Sequence, residues 1–353
     1  MVPVLDVNKI PLMPCTEKRA RLLIERNQAR SYWQKGNFCI KLLREPSTRS
    51  FQEVALGIDP GSKREGYTVA TKKSVVINIT TDTPGWVKEK IETRRNLRRL
   101  RRFRKTPYRE CRPNRSTLRN KGRIPPSTKA RWNAKLRIIK SLIKIIPIKT
   151  IIVEDIKAIT KKWKTKWNVS FSPLEVGKNW FYSEIENLGV KLIKVSGFKT
   201  SEHRKERGFK KLTGKGKMDY TWESHNVDSH ALCEMALNEH LMPFLGIWQI
   251  NFLNFYRRQL HVQNPAKGGI RKIYGSTLSL GLIRGSIIKY KKDGLLYYIG
   301  GASKKCVAIH SVITKKRANQ FAQLEDIEMI CYNKQRTQFL PRLKTWVSLL
   351  RRS

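Results

Sequence analysis

Four residues of this chain are of the right types to do chemistry together: Asp59, Glu154, His225 and Asp228. Each stands at the edge of an apolar run. Asp59 ends VALGID, Glu154 follows TIIV, and His225 and Asp228 open HNVDSHALCEMAL. A few carboxylates gathered at one point can hold Mg²⁺, which prefers oxygen ligands and keeps part of its water shell. Two such ions about 3.5–4 Å apart can bridge the nucleophile and leaving group of a phosphodiester. A histidine beside them can orient or deprotonate the attacking water. The set therefore points to metal-assisted phosphodiester hydrolysis, with Asp59, Glu154 and Asp228 as ligands and His225 alongside.

Each residue also has a plainer explanation. Asp59 before Pro-Gly fits a turn. Glu154 is stronger evidence, because an acid after Ile-Ile-Val is costly unless exposed or ligated. Asp155 beside it is the competing choice, or simply faces solvent. Asp228 alone fits a helix cap, His225 a surface histidine, and His230 is a weaker participant. The conjunction, in the order strand, strand, helix, carries the argument.

Those residues need elements to position them. VALGID, EGYTVAT and SVVINITT read as three strands separated by DPG and KK turns. Residues 129–146 read as an amphipathic helix with Trp132, Leu136, Ile139 and Ile143 on one face, stopped by Pro147. TIIVED is a buried strand, NWFYSEIENLG a helix ended by Gly189, and VKLIKVS a further strand. A flexible basic loop is expected at 199–217. Ser224 or Asn226 is expected to cap a helix starting near Val227, with Asp228 in its first turn. The fold class is α/β, with an RNase H-like core.

Around this core, residues 1–52 read as a small unit: a strand at VPVLDV, a turn at PLMPC, a helix capped by Thr16 and ended by Asn27, and a strand-like YWQKGNFCIKLL. Residues 53–93 hold the first core segment, 129–198 the second and 199–240 the third. Residues 241–353 form a β-rich C-terminal region with a hairpin at KKDG.

The formal net charge is +46, from 73 Lys plus Arg against 27 Asp plus Glu. Such self-repulsion calls for a polyanion, and nucleic acid is the obvious one. The charge peaks at 94–128, where 14 residues are Lys or Arg and Glu110 is the only acid. RRNLRRLRRFRK has helical character, with Leu97, Leu100 and Phe103 as a narrow apolar stripe beneath the arginines. The proline-containing remainder reads as extended, and the whole segment is expected to order on nucleic acid. Trp163 and Trp167, set among lysines, suit base stacking, though such residues are more often core. The six cysteines form no CxxC, which argues against zinc. The N-terminus lacks the pattern of a secretory signal. Lysines interrupt the apolar stretches, which argues against a membrane span or a membrane partner.

PLMPC, GIDPGSK, RRNLRRLRRFR, IIVEDI, HNVDSHALCEMA and RRQLHVQNPAKGGIRKIYGS occur in an order that resembles the RRXRR-type proteins of the IscB and IsrB group. These are transposon-encoded relatives of type II CRISPR effector nucleases. Only 70 residues separate Glu154 from His225, with His203 the sole histidine among them. That leaves no HNH nuclease insert, so the pattern resembles the IsrB branch. The resemblance implies a PLMP domain at 1–52, a split RuvC nuclease, an arginine-rich bridge helix in 94–128, and a C-terminal region contacting RNA and a target-adjacent motif. It implies an RNA-guided nickase cutting the non-target DNA strand, with guide and scaffold RNA and double-stranded DNA as partners. The protein would be monomeric within a ribonucleoprotein, in the cytoplasm or nucleoid of a prokaryote or in an organelle. The cofactor would be two Mg²⁺ ions, with Mn²⁺ able to substitute.

Asp59, Glu154, His225 and Asp228 carry over as catalytic. Arg94, Arg95, Arg98, Arg99, Arg101, Arg102 and Arg104, with Lys267, Arg271 and Lys272, carry over as nucleic-acid contacts. Ser229 stands where Ala usually follows the catalytic Asp, and YGS replaces YGG. Competing classes are a guide-independent RuvC-type resolvase, a non-cleaving RNA-binding protein and an actin-like ATPase. The last should show a second Gly-rich phosphate motif, and none is visible.

Overall fold

The computed structural model describes residues 1–34, 37–105, 124–157, 172–209, 222–242, 246–252, 263–264, 269–270, 278–302, 305–312, 314, 316–331 and 335–340. The chain divides into two compact units. One holds Met1–Thr83, Thr128–Phe252 and Thr337–Ser353; the other holds Pro84–Ser127 and Leu253–Arg336.

The first unit opens with a four-stranded sheet of β1 (Val2–Leu5), β2 (Pro11–Cys15), β3 (Ala29–Gln34) and β4 (Asn37–Leu42), in the order β2-β1-β4-β3. PLMPC is thus a strand, not the expected turn. It lies at the sheet edge, where the missing N–H groups of Pro11 and Pro14 cost no ladder bond. Helix α1 (Glu17–Glu25) starts as expected, with the Thr16 hydroxyl accepting from the Arg19 N–H at 3.3 Å. Asn27 ends it in the left-handed region at φ 52°. YWQKGNFCIKLL is a hairpin rather than one strand, with Trp33 opposite Phe38.

The central sheet begins with β5 (Val54–Asp59), β6 (Arg64–Thr71) and β7 (Val75–Asp82), an antiparallel meander at the expected positions. In the second unit α2 (Val87–Lys105) follows. The first unit resumes with α3 (Pro126–Ile143), β8 (Thr150–Asp155), α4 (Pro173–Glu186), β9 (Lys191–Ser196), α5 (Gly197–Glu206), α6 (Trp222–Leu237) and β10 (Ile247–Phe252). β8 runs parallel to β5, β9 parallel to β8, and β10 parallel to β7. The inner order β7-β6-β5-β8-β9, an antiparallel meander continued by parallel strands, is the RNase H-like arrangement.

Side chains alternate across this sheet. Val54, Leu56, Ile58, Tyr67, Val69, Ile151 and Val153 join Leu136, Ile139 and Phe181 from α3 and α4 in the main core. Burying each such aliphatic side chain contributes about 1.5–3 kcal/mol. The intervening residues face α6, where Ala55 and Ala70 meet Cys233 and Leu237, and Ile152 meets Leu232.

Two expectations about this face are corrected. Residues 199–206 of the expected basic loop belong to the helix α5, capped by the Ser196 hydroxyl accepting from the Lys199 N–H. Composition misled here, because its basic residues pair with acids on α6 and so favour an ordered helix; residues 210–217 lie outside the described ones. Helix α6 starts at Trp222, before both Ser224 and Asn226, and those two residues are buried within it. Asp228 is therefore past the first turn, and neither residue caps the helix.

In the second unit, α2 presents Arg94, Arg95, Arg98, Arg99 and Arg102 to solvent, and Arg101 and Arg104 lie on the same helix. The stripe expected beneath the arginines is not covered: Leu100 and Phe103 are 58% and 70% exposed. Two short ribbons follow, β11 (Gln263–Asn264) with β12 (Gly269–Ile270) and β13 (Leu278–Ser279) with β14 (Leu282–Ile283). Then β15 (Ile287–Tyr290), β16 (Leu296–Ala302), β17 (Val307–Ser311), β18 (Arg317–Ala322) and β19 (Ile327–Cys331) form an antiparallel sheet ordered β18-β17-β16-β15-β19. The β15–β16 hairpin is the one expected at KKDG. A last strand, β20 (Gln335–Leu340), lies beside β10 in the central sheet. Among the described residues no helix is long and apolar enough to cross a membrane. Trp163, Trp167, Lys267, Arg271 and Lys272 lie outside the described residues.

Candidate metal centre

Strand parity and register place two of the carboxylates. β5 and β8 pair in parallel with Ile58 opposite Val153, so Asp59 and Glu154 come next on their strands. Both belong to the set that alternates toward α6. The third comes from α6 itself, which lies almost on the sheet backbone. A Cβ on Gly57 would stand 2.1 Å from the Ser229 carbonyl oxygen, and one on Gly66 2.2 Å from that of His225. Only residues without a side chain permit that approach. Contacts lock it: the Gly57 N–H reaches Cys233 Sγ at 3.1 Å, and Ser229 Oγ lies 2.7 Å from Thr68 Oγ1. Burial pushes the Cys233 thiol up to about 12, so it stays protonated and donates to the Thr68 carbonyl at 3.0 Å.

The result is a cluster. Asp59, Glu154 and Asp228 each offer one carboxylate oxygen, and all three oxygens lie within 4.8 Å of one another. Asp59 and Asp228 are buried, at 6% and 3% exposure. Three hard oxygen donors without sulfur fit an ion such as Mg²⁺ better than zinc or copper. His225 Nδ1 is 2.5 Å from Asp59 Oδ2, so all four residues singled out from the sequence are brought together.

Strand parity sends Glu154 and Asp155 to opposite faces of the sheet. Asp155 points to the opposite face, where Tyr182 donates to it at 2.9 Å and Lys178 pairs with it at 2.9 Å. It does not simply face solvent. Burial alone would raise its pKa, but the hydrogen bonds from Lys178 and Tyr182 outweigh that and hold it below the usual carboxylate range.

Helix α5 contributes residues that the sequence reading did not single out. A Cβ on Gly197 would stand 2.7 Å from Glu154 Oε1, so that carboxylate lies against the first residue of the helix, where the peptide dipoles favour negative charge. Arg204 Nη1 donates to Asp228 Oδ1 at 3.3 Å. One turn on, Arg207 and His203 hold the buried Glu234. Burial raises the Glu234 pKa, but hydrogen bonds from His203, His230 and Arg207 dominate and depress it strongly. The glycines had a signal, since Gly inside a buried strand often marks close backbone approach. Arg204 had none, because no local period links it to Asp228.

Fold and cluster together define a chain with an RNase H-like core and a three-carboxylate centre at the ends of its strands. Residues 2–169 match the family model described as RRXRR protein. Over that stretch, just under half of the chain, the sequence is similar to the RRXRR family. No curated protein matches. Among solved structures, the chain is similar to Thermus thermophilus RuvC in complex with Holliday junction substrate, at 14% identity and a TM-score of 0.28, covering 51% of this chain and 90% of that one. A second Thermus thermophilus RuvC structure gives 14% and 0.26, with the same coverage. The yeast mitochondrial Holliday junction resolvase Ydc2 gives 14% and 0.22, covering 45% of this chain and 57% of that one.

Proposed function

We propose that the chain is an RNA-guided DNA endonuclease that nicks the non-target strand, acting as a monomer with a guide and scaffold RNA on double-stranded DNA. The convergence of Asp59, Glu154 and Asp228 within 4.8 Å carries the phosphodiesterase part of this reading. Those three side chains would hold two Mg²⁺ ions, or Mn²⁺ in their place. When bound, such ions neutralise charge on the scissile phosphate and furnish hydroxide at neutral pH. Asp59 and Glu154 contribute rigidity, fixed as they are at strand ends, and Asp228 is fixed by the close seating of α6. His225, in contact with Asp59, accepts a proton from the attacking water. One such cluster is found among the described residues, which supports cutting one strand rather than two.

The nucleic-acid part rests on charge and on the family resemblance. A net charge of +46 and a helix with five exposed arginines suit clamping of backbone phosphates without base readout. Guide pairing would then read the sequence. Arg101 and Arg104 on the same helix, with Lys267, Arg271 and Lys272, are proposed as further contacts.

The test is purification of the full chain with its host RNA, sequencing of that RNA, and incubation with Mg²⁺ and a matching plasmid. Nicked circles are expected, and Asp59→Ala should bind the plasmid but leave it closed. Equal cleavage of both strands, or cleavage by RNA-free protein, would contradict the reading.

A further inference from the structure

We infer that Arg204 is a built-in counter-ion of the acidic cluster: it balances Asp228 when no divalent cation is bound, and it competes with that cation for the same carboxylate. The inference rests on the proposed role of Asp59, Glu154 and Asp228 as metal ligands.

Two arginines of α5 and its C-terminus, three residues apart, meet two carboxylates of α6, and they do so differently. Arg207 grips Glu234 with Nε at 3.1 Å from Oε2 and Nη2 at 3.1 Å from Oε1. His203 Nε2 lies 3.0 Å from the same carboxylate, and the Leu241 N–H donates to it at 2.8 Å. This forked, charge-assisted pairing is the strong kind. It pins α5 to α6 and leaves Glu234 fully engaged.

Arg204 makes no such fork. It gives Asp228 a single bond at 3.3 Å, and its other terminal nitrogen goes to Ser201 Oγ at 3.1 Å. Its Nε is buried with no hydrogen-bond partner. The guanidinium is thus held beside Asp228 without being locked onto it. Its side chain is only 13% exposed, so water screens its charge poorly.

The electrostatic consequence has a definite sign. Three carboxylates with oxygens within 4.8 Å repel one another when no cation lies between them. A guanidinium on Asp228 reduces that repulsion and stabilises the metal-free fold. The same positive charge opposes a divalent cation that takes its place. Arg204 therefore weakens metal binding while supporting the empty site, and metal must displace or share its hold on Asp228. A purely structural arginine would support both states alike.

The experiment uses the full chain without RNA, so that RNA phosphates add no ion sites, and titrates it with Mn²⁺ alone by calorimetry. Asp228→Asn defines which binding belongs to the cluster. Arg204→Gln should tighten that binding by about tenfold, the least that one adjacent fixed charge changes a carboxylate's affinity for a proton. Thermal unfolding of the same variant should fall in chelator and return to the parental value in saturating Mn²⁺. Arg204→Lys, which keeps the charge, should stay near the parent in both measurements. Unchanged or weaker Mn²⁺ binding in Arg204→Gln, or an equal loss of stability with and without Mn²⁺, overturns the inference and leaves the nuclease reading standing. A parental chain with no Mn²⁺ site that Asp228→Asn removes would overturn both.

Discussion

The two faces of the central sheet treat carboxylates in opposite ways. On the α3–α4 face the two acids of the sheet strands, Glu65 and Asp155, each meet a lysine and a tyrosine hydroxyl. Lys135 pairs with Glu65, both almost fully buried, and Tyr67 donates to Glu65 at 2.5 Å. Lys178 and Tyr182 do the same for Asp155. On the α6 face three acids are instead gathered against one another, one of them in contact with a histidine. The first arrangement minimises electrostatic cost and specifies packing. The second accepts repulsion at one point, an arrangement suited to receiving a cation. Neighbouring residues on one strand, Glu154 and Asp155, fall on opposite sides of this divide.

The comparison is broken most severely by changes on the α6 face. Glu154→Gln should reduce cleavage by about 10⁴-fold, the equivalent of several kcal/mol of transition-state stabilisation. Its thermal unfolding should stay within about 1 kcal/mol of the parent, the mild end for point changes. Plasmid nicking and calorimetry check the two together.

On the other face the expected effects exchange places. Lys135→Met leaves Glu65 buried beside Tyr67 without its cation, a loss of about 3–5 kcal/mol in denaturant unfolding. Nicking by the folded fraction should remain close to parental. A catalytic collapse at temperatures where this variant is fully folded would mean that the two faces are not separate in function.

An intermediate case is Glu234, which lies on α6 yet is fully paired. Its carboxyl pKa is depressed in the fold below the ordinary 4.5. The stability it contributes is therefore complete above about pH 4.5 and is lost as pH falls toward the depressed folded value. Glu234→Gln should flatten that acid limb of the pH–stability curve and lower stability at pH 7.

The smallest effect is expected from Asp155→Asn. It weakens one partly exposed ion pair and keeps the acceptor for Tyr182, so unfolding should change by about 1 kcal/mol. Nicking should be unchanged. Glu154→Gln and Asp155→Asn, one residue apart, thus sharpen the contrast between the faces.

The sequence made much of this visible, and the omissions have physical causes. The three strands of the meander, β8, α3 and α4 announced themselves through period and punctuation. Glu154 stood out because an acid at the end of an apolar strand is costly unless used, and Asp59, His225 and Asp228 stood out with it through their order along strand, strand and helix. Glu154 and Asp155 could not be separated by pattern, because β8 is apolar on both faces and hides its parity. Helix α5 was missed because its charges, read locally, describe a solvated loop. Their partners, Asp228 and Glu234, lie 24 and 27 residues away from Arg204 and Arg207. The start of α6 was misjudged because Ser224 and Asn226, good caps in isolation, are buried by tertiary packing. PLMPC was misjudged because edge position, which excuses proline in a strand, is a property of the sheet and not of the segment.

On the proposed function, the α6 face receives divalent cations. Diffraction from crystals of the full chain grown with Mn²⁺, recorded at the manganese edge, tests it directly. Anomalous peaks bounded by the carboxylates of Asp59, Glu154 and Asp228, and absent from the Asp155–Lys178 face, are the expected result. A map without manganese at that cluster, with ordered carboxylates, would contradict the account.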